Sequence, residues 1–156
     1  MRRCGMSFVS VSAMMLHLDQ GSCISGMNRD KLNKLVVQYD RNNVITNPNR
    51  LITGGSGGTA ITTTNIVSDL AYNGRSWECY LCNSEFRHKA ALTQHLNSPR
   101  HQTKIYRCPC IDCHREFAAL SGITQHVESQ SCGAHRFRAV QDVMNGLSSN
   151  MRRLAL

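Results

Sequence analysis

With 156 residues and only 6% aromatic side chains, the chain has little material for one large core, and no run of about 18 apolar residues could span a membrane. Lys and Arg exceed Asp and Glu by eight, a basic balance that favours partners with phosphate backbones. Eight cysteines and seven histidines follow a start, MRRCGMSFVS, that lacks the apolar stretch of a secretory signal; metal ligation is expected before disulfides.

Residues 1–24 contain a unit that recurs. The stretch 8–23, FVSVSAMMLHLDQGSC, runs Phe, five residues, an apolar residue, two residues, His, five residues, Cys. The stretch 117–132, FAALSGITQHVESQSC, repeats that order, and 86–101, FRHKAALTQHLNSPRH, repeats it with His in the last place. Self-similarity of this kind marks repeated small units. In the first copy Cys4, His17 and Cys23 fit a metal-ligand pattern, but the cysteine that should precede Cys4 is missing. The expectation is an incomplete finger, truncated at its start or degenerate, and about two tightly held zinc ions per chain.

Residues 25–45 read as a helical spacer. Leu32, Leu35, Val36 and Tyr39 share one helical face, and Asn28 is placed to cap the N-terminus. Residues 46–74, with the run TNPNRLITGGSGGTAITTT, read as a flexible linker, because Gly and Ser cannot bury apolar area.

Residues 75–103 carry the fullest unit, WECYLCNSEFRHKAALTQHLNSPRH. Cys79 and Cys82 form a CxxC pair; twelve residues separate Cys82 from His95, and five separate His95 from His101. That spacing suits two thiolates from the knuckle of a β-hairpin and two imidazoles from a helix packed on it, closed by tetrahedral zinc. Trp77, Phe86 and Leu92 supply a core too small to fold without metal. Residues six apart do not share a face of a continuous helix, so the helix must loosen or end between His95 and His101. Ser98-Pro99 stands in that interval, and Gly21 stands in the same interval of the first copy.

Residues 104–133 repeat the unit with Cys113, His126 and Cys132 as ligands, a Cys-Cys-His-Cys set. Either Cys108 or Cys110 completes it. Tyr106 stands two residues before Cys108, as Trp77 stands two before Cys79, which favours Cys108. In residues 134–156, Phe137, Val140 and Met144 have helical spacing, and a helical tail packed on the preceding finger is expected. His88, His114 and His135 lie outside the pattern and read as surface residues.

These residues resemble the two-Cys, two-His zinc-finger family and its Cys-Cys-His-Cys variants. Cys79, Cys82, Phe86, Leu92, His95 and His101 carry the frame in full, and the third copy carries it with Cys132 in place of the last His. A lone first finger, a spacer and a tight pair is also similar to fungal zinc-finger proteins, and the HLNSPRH ending is similar to fingers that bind double-stranded RNA. The fold expected is a set of small zinc-stabilised ββα fingers (α+β) joined by helical and flexible spacers, with no single large core. The resemblance implies zinc as cofactor and nucleic-acid binding in the nucleus as the usual role.

Fingers that read DNA use helix positions −1, 3 and 6. These are His88, Ala91 and Gln94 in the middle copy, Ala119, Gly122 and Gln125 in the third, and Ser10, Ala13 and Leu16 in the first. Only Gln94, Gln125 and His88 could read a base edge, so direct readout looks poor. Arg87, Lys89, Arg100, Lys104 and Arg107 suit phosphates better. Nucleic acid, DNA or duplex RNA, is therefore the expected partner, with a protein-interaction module as the alternative. No nucleophile–base arrangement and no phosphate loop is present, so neither an enzyme nor a small-molecule substrate is expected.

Overall fold

The computed structural model describes residues 4–51 and 67–155, and these fall into two compact units. One joins residues 4–51 with 104–155; the other is the stretch up to 103 that interrupts it in sequence. No single core runs through the chain, since each unit closes its own small apolar cluster.

The interrupting unit is a ββα finger. Strands β1 (Trp77–Glu78) and β2 (Glu85–Phe86) pair antiparallel, with Trp77 opposite Phe86. Helix α4 (Lys89–Leu96) folds onto this hairpin through Leu92 and Leu96, which join Cys79 and Val67 as its four buried apolar residues. The residues before the hairpin are ordered too. A short 3-10 turn, Asp69–Ala71, is capped by Ser68, and Tyr72 bridges back to Trp77. Residues 52–66, the glycine-rich part of the expected linker, lie outside the described residues.

The other unit is built around α1 (Val11–Asp19) and α5 (Leu120–Glu128), the helices of the first and third copies of the repeat. Strands β3 (Tyr106–Arg107) and β4 (Glu116–Phe117) give α5 its hairpin, with Tyr106 opposite Phe117. The first copy has no hairpin among the described residues; its helix starts at the Ser10 cap, whose hydroxyl accepts from the Ala13 N–H at 3.1 Å. Helix α2 (Arg29–Tyr39) is capped by Asn28 and buries Leu32 and Val36, while Tyr39 is 43% exposed; a single turn, α3 (Pro48–Leu51), follows it along the chain. Helix α6 (Arg138–Ala155) buries Val140, Leu147 and Met151, whose four- and seven-residue spacings keep them on one face.

What fuses these elements is legible atom by atom. Met14, Met15 and Leu18 of α1 and Leu120 and Ile123 of α5 belong to one buried cluster with Leu32, Val36, Leu147 and Met151. Each large apolar side chain removed from water contributes roughly 1.5–3 kcal/mol. The two finger helices also cap each other. The Glu128 carboxylate accepts from the N–H groups of Val11 and Ser12 at 2.9 and 3.2 Å, and the Asp19 carboxylate accepts from the Ser121 N–H at 3.0 Å. Asp19 and Glu128 hold the same place in the repeat, two residues after His17 and His126, and Ser12 and Ser121 also correspond. The exchange is therefore reciprocal: α1 and α5 run antiparallel, and each places a negative charge at the other's positive end.

The spacer ties into the same unit. Asp40, at the end of α2, is buried and accepts from the N–H groups of Val44, Ile45 and Thr46 and from the Thr46 hydroxyl, at 2.7–3.0 Å. That turn lays residues 45–47 along β3: the Arg107 N–H donates to Ile45 O and the Asn47 N–H to Ile105 O, both at 2.8 Å. Tyr106 lies fully buried beneath this edge, and its hydroxyl donates to Asn33 of α2.

Candidate metal centres

Three groups of cysteine and histidine form where the repeat puts them, each with its ligand atoms within 4.8 Å of one another. They are Cys79, Cys82, His95 and His101; Cys108, Cys113, His126 and Cys132; and Cys4, His17 and Cys23.

In the α4 finger, two local devices build the site. The hairpin knuckle turns because Asn83, directly after Cys82, takes a left-handed conformation (φ 54°), and the Asn83 N–H donates to Cys79 O at 2.7 Å. After Leu96 the helix ends. The Ser98 hydroxyl donates to His95 O at 2.6 Å and caps a 3-10 turn, Pro99–His101, that swings His101 back towards His95. The break thus falls at Ser98-Pro99. The donor atoms then stand at tetrahedral edges: Cys79 Sγ to His101 Nε2 3.4 Å, Cys82 Sγ to His95 Nε2 3.4 Å, and His95 Nε2 to His101 Nε2 3.0 Å. Zinc about 2.3 Å from sulfur and about 2.0–2.1 Å from nitrogen needs edges of roughly 3.3–3.8 Å, so the donor set fits this ion with little adjustment.

The α5 finger repeats the knuckle, and the Ser129 hydroxyl donates to His126 O at 2.8 Å as Ser98 does to His95 O, without the 3-10 turn. His114 follows Cys113 in the left-handed conformation (φ 49°), so this histidine shapes the turn. Cys113 Sγ stands 3.3 Å from His126 Nε2, Cys132 Sγ 3.0 Å from His126 Nε2, and Cys108 Sγ 3.5 Å from Cys132 Sγ. Cys110 is outside the group, and its thiol donates to Cys132 O at 3.2 Å. Why two cysteines compete in sequence becomes clear here. Cys79 both ends the ladder, donating to Ser84 O, and opens the knuckle, accepting from the Cys82 N–H. In the α5 finger these jobs are split: Cys108 donates to Arg115 O on the ladder, and Cys110 accepts from the Cys113 N–H in the knuckle.

In the first copy, Gly5 follows Cys4 with φ 63° and so repeats the left-handed knuckle residue of Asn83 and His114. Cys4 Sγ lies 3.3 Å from His17 Nε2, and the Ser25 hydroxyl donates to Cys23 Sγ at 3.0 Å. All three copies also stack the repeat Phe on the ligand His. Ring centroids are 5.2, 4.7 and 5.2 Å apart for Phe8–His17, Phe86–His95 and Phe117–His126, with interplanar angles of 37–42°.

Titration tendencies follow position. Burial pushes His95 and His126 down, helped by the charges of His101 and Arg100 at the former and Arg115 at the latter, which favours the neutral imidazole a metal requires. Burial pushes the Cys108 thiol up to about 12. Burial also opposes ionisation of Cys23, but hydrogen bonds from Ser25, His17 and Cys4 outweigh it and bring that thiol down to about 7.

The residues expected at a nucleic-acid surface divide. Arg87, His88 and Gln94 are exposed on the α4 finger. Lys89 is exposed but engaged, with Nζ 2.6 Å from Asp69 Oδ1 and 5.4 Å above the Trp77 ring. Lys104 and Gln125 are exposed on the other unit. Sequence reasoning did not find the carboxylates of Asp19 and Glu128. Their signal was available: an acidic residue at the same place in two copies.

The sulfur-and-imidazole donor set, the antiparallel hairpin and the helix that carries the third donor, with the fourth just beyond its end, define a zinc finger. Residues 77–101 match the family model of the zinc-finger of C2H2 type. No curated protein and no solved structure matches the chain significantly. The chain thus carries a C2H2-type finger, and its cysteine–histidine groups are positioned to bind zinc.

Proposed function

We propose that this is a zinc-dependent nucleic-acid-binding protein that acts in the nucleus in a regulatory role. Cys79, Cys82, His95, His101, Cys108, Cys113, His126 and Cys132 are its tight zinc ligands in this reading, and its role is binding, not catalysis. The observation that carries it is the free outer side of the α4 finger. Arg87, His88, Gln94 and Arg100 are all exposed there, and neither arginine forms an ion pair among the described residues. Helices α1 and α5, by contrast, spend their faces on each other. The contacts are with backbone phosphates and duplex shape, for DNA or double-stranded RNA, because the base-reading positions are short of donors.

A second reading, a protein-interaction module, is favoured by one feature. Leu16 at a reading position and the neighbouring Val9 and Met6 are at least half exposed on the first copy. No helix among the described residues is long and apolar enough to cross a membrane.

Salt-dependent binding of mixed-sequence DNA and duplex RNA separates the two. Replacing Arg87 and Arg100 with Ala should lower the log–log salt slope by about two units without changing sequence preference. Lys89→Ala should change it less, because Asp69 already holds that charge. Binding that ignores salt, or that survives the double replacement in a zinc-loaded chain, would favour the protein partner.

A further inference from the structure

Seven of the eight cysteines fall in the three cysteine–histidine groups, and Cys110 is the one that does not. In the α4 finger Cys79 both ends the ladder and opens the knuckle, so each thiol of that finger belongs to its group. In the α5 finger Cys108 takes the ladder, which leaves the knuckle cysteine as a spare thiol beside a complete donor set.

The place of that thiol decides what it can do. Its partner is the last donor of the group: Cys110 Sγ donates to Cys132 O at 3.2 Å. Hydrogen bonds also converge on the Cys132 side chain from the Ala134 N–H and from the thiols of Cys108, Cys113 and Cys110. Cys110 and Cys132 are 22 residues apart in sequence, so packing and not chain continuity brings them together. Both are partly exposed, beside the exposed Ile111 and Asp112 on one side and Ser131 on the other, whereas Cys108 is 7% exposed. A small polar oxidant reaches this pair from solvent.

We propose that Cys110 and Cys132 form a peroxide-sensitive modification site, at which a disulfide closes and withdraws Cys132 from the donor set of the α5 finger. This rests on the zinc reading of that finger. The Cys132 thiolate attacks hydrogen peroxide: an S–O bond forms, the O–O bond breaks, and the hydroxide that leaves is protonated to water. The Cys110 sulfur then attacks the resulting sulfenic acid; the S–S bond forms, and the Cys110 proton leaves with the hydroxyl as a second water. Each sulfur loses one electron and the peroxide gains both. Cys110 suits the second step because it is no part of the donor set, and so stays a thiol while the site is loaded. Leu120 and Ile123 meanwhile hold α5 in the cluster that it shares with α1, α2 and α6, which keeps the remaining donors in place for a thiol reductant to restore the site.

The zinc-loaded full-length chain is treated with hydrogen peroxide beside a chromophoric zinc indicator; its free thiols are then blocked and its peptides mapped by mass. One equivalent of zinc should appear in a fast phase together with a linked Cys110–Cys132 peptide, and dithiothreitol should cleave the link and let zinc return. Trp77 fluorescence should stay constant through that phase, because the α4 finger has no spare thiol. Cys110→Ser keeps a hydroxyl that can donate to Cys132 O, so it should load with zinc and match the parent by circular dichroism. It should nevertheless release that equivalent at least about tenfold more slowly and give no linked peptide. An unchanged release rate in Cys110→Ser, a disulfide from Cys132 to Cys108 or Cys113 instead, or loss of both fingers' zinc in one phase overturns the pair but not the zinc reading. A chain that takes up no zinc overturns both.

Discussion

The α4 finger and the α1–α5 pair start from the same repeat and reach stability differently. The α4 finger has four buried apolar residues, of which Cys79 also belongs to the cysteine–histidine group, so candidate metal site and core nearly coincide. The core cluster of the α1–α5 unit has fifteen, drawn from four long helices, the hairpin and the spacer. A finger that packs on another finger gains a core but gives up helix surface. Ser121 and Thr124 of α5 are buried, whereas at the corresponding places of α4 Ala90 is exposed and Thr93 half-buried. The contrast teaches how one repeat yields a finger with its own small cluster and two whose helices share one core.

Metal removal should show the largest difference. Zinc contributes roughly 10–16 kcal/mol to an isolated finger, whereas four buried residues supply at most about 6–12 kcal/mol, which the entropy of ordering the chain consumes. The chain's single tryptophan, Trp77, lies in the α4 finger, while α1, α2, α5 and α6 dominate the helical signal. Under a zinc chelator, Trp77 fluorescence should therefore report full unfolding while circular dichroism retains a substantial part of its helical amplitude. One coincident transition would mean that the α1–α5 core cannot stand without its metal.

Within the α5 finger, Cys108→Ser should weaken zinc by more than the roughly 10–100-fold typical of losing an outer-shell partner, and Cys110→Ser by no more than that range. Competition with a chromophoric chelator measures both. The reverse order would place Cys110 in the site and shift the hairpin register.

The reciprocal caps should be unequal. Asp19 is buried beside Arg29, whose side chain is 11% exposed, with an Nε–Oδ1 distance of 3.9 Å. Asp19→Ala leaves a buried guanidinium without its carboxylate and the Ser121 N–H without its acceptor, at a cost of about 3–5 kcal/mol. Glu128 is exposed, and Glu128→Ala should cost only about 0.5–1 kcal/mol. Urea unfolding of the zinc-loaded chain, followed by circular dichroism, compares them. Equal losses would show that the exchange is not worth more on its buried side.

Much of this was legible in the residues. Spacing alone pointed to the cysteine–histidine groups, because side chains on a hairpin and a helix can converge only at certain separations, and Ser98-Pro99 announced where α4 ends. Asn28 declared the start of α2, and Leu32 and Val36 its buried face. The pairing of α1 with α5 was not foreseen, because apolar positions within a finger look the same whether they fill that finger's own core or meet another helix. Nor does hydrophobic pattern reveal a turn such as 40–46, which depends on one buried carboxylate satisfying four donors.

The smallest expected effect tests the repeat itself. In the first and third copies the residue two before the last ligand is left-handed: Gly21 with φ 70° and Gln130 with φ 56°. Glycine takes that conformation freely, whereas a side chain there crowds its own backbone, at about 1–2 kcal/mol. Glycine also loses more entropy on folding, which offsets part of the gain. Gln130→Gly should therefore stabilise the α1–α5 unit by up to about 1 kcal/mol. The converse change, Gly21→Gln, should cost about as much; a Cβ there meets Asn28 Cβ at an ordinary 3.5 Å, so conformation and not space sets the penalty. Thermal unfolding of the zinc-loaded variants measures both. If both substitutions destabilise, Gln130's side chain makes a contribution that outweighs its strain, and the two helix ends are not equivalent.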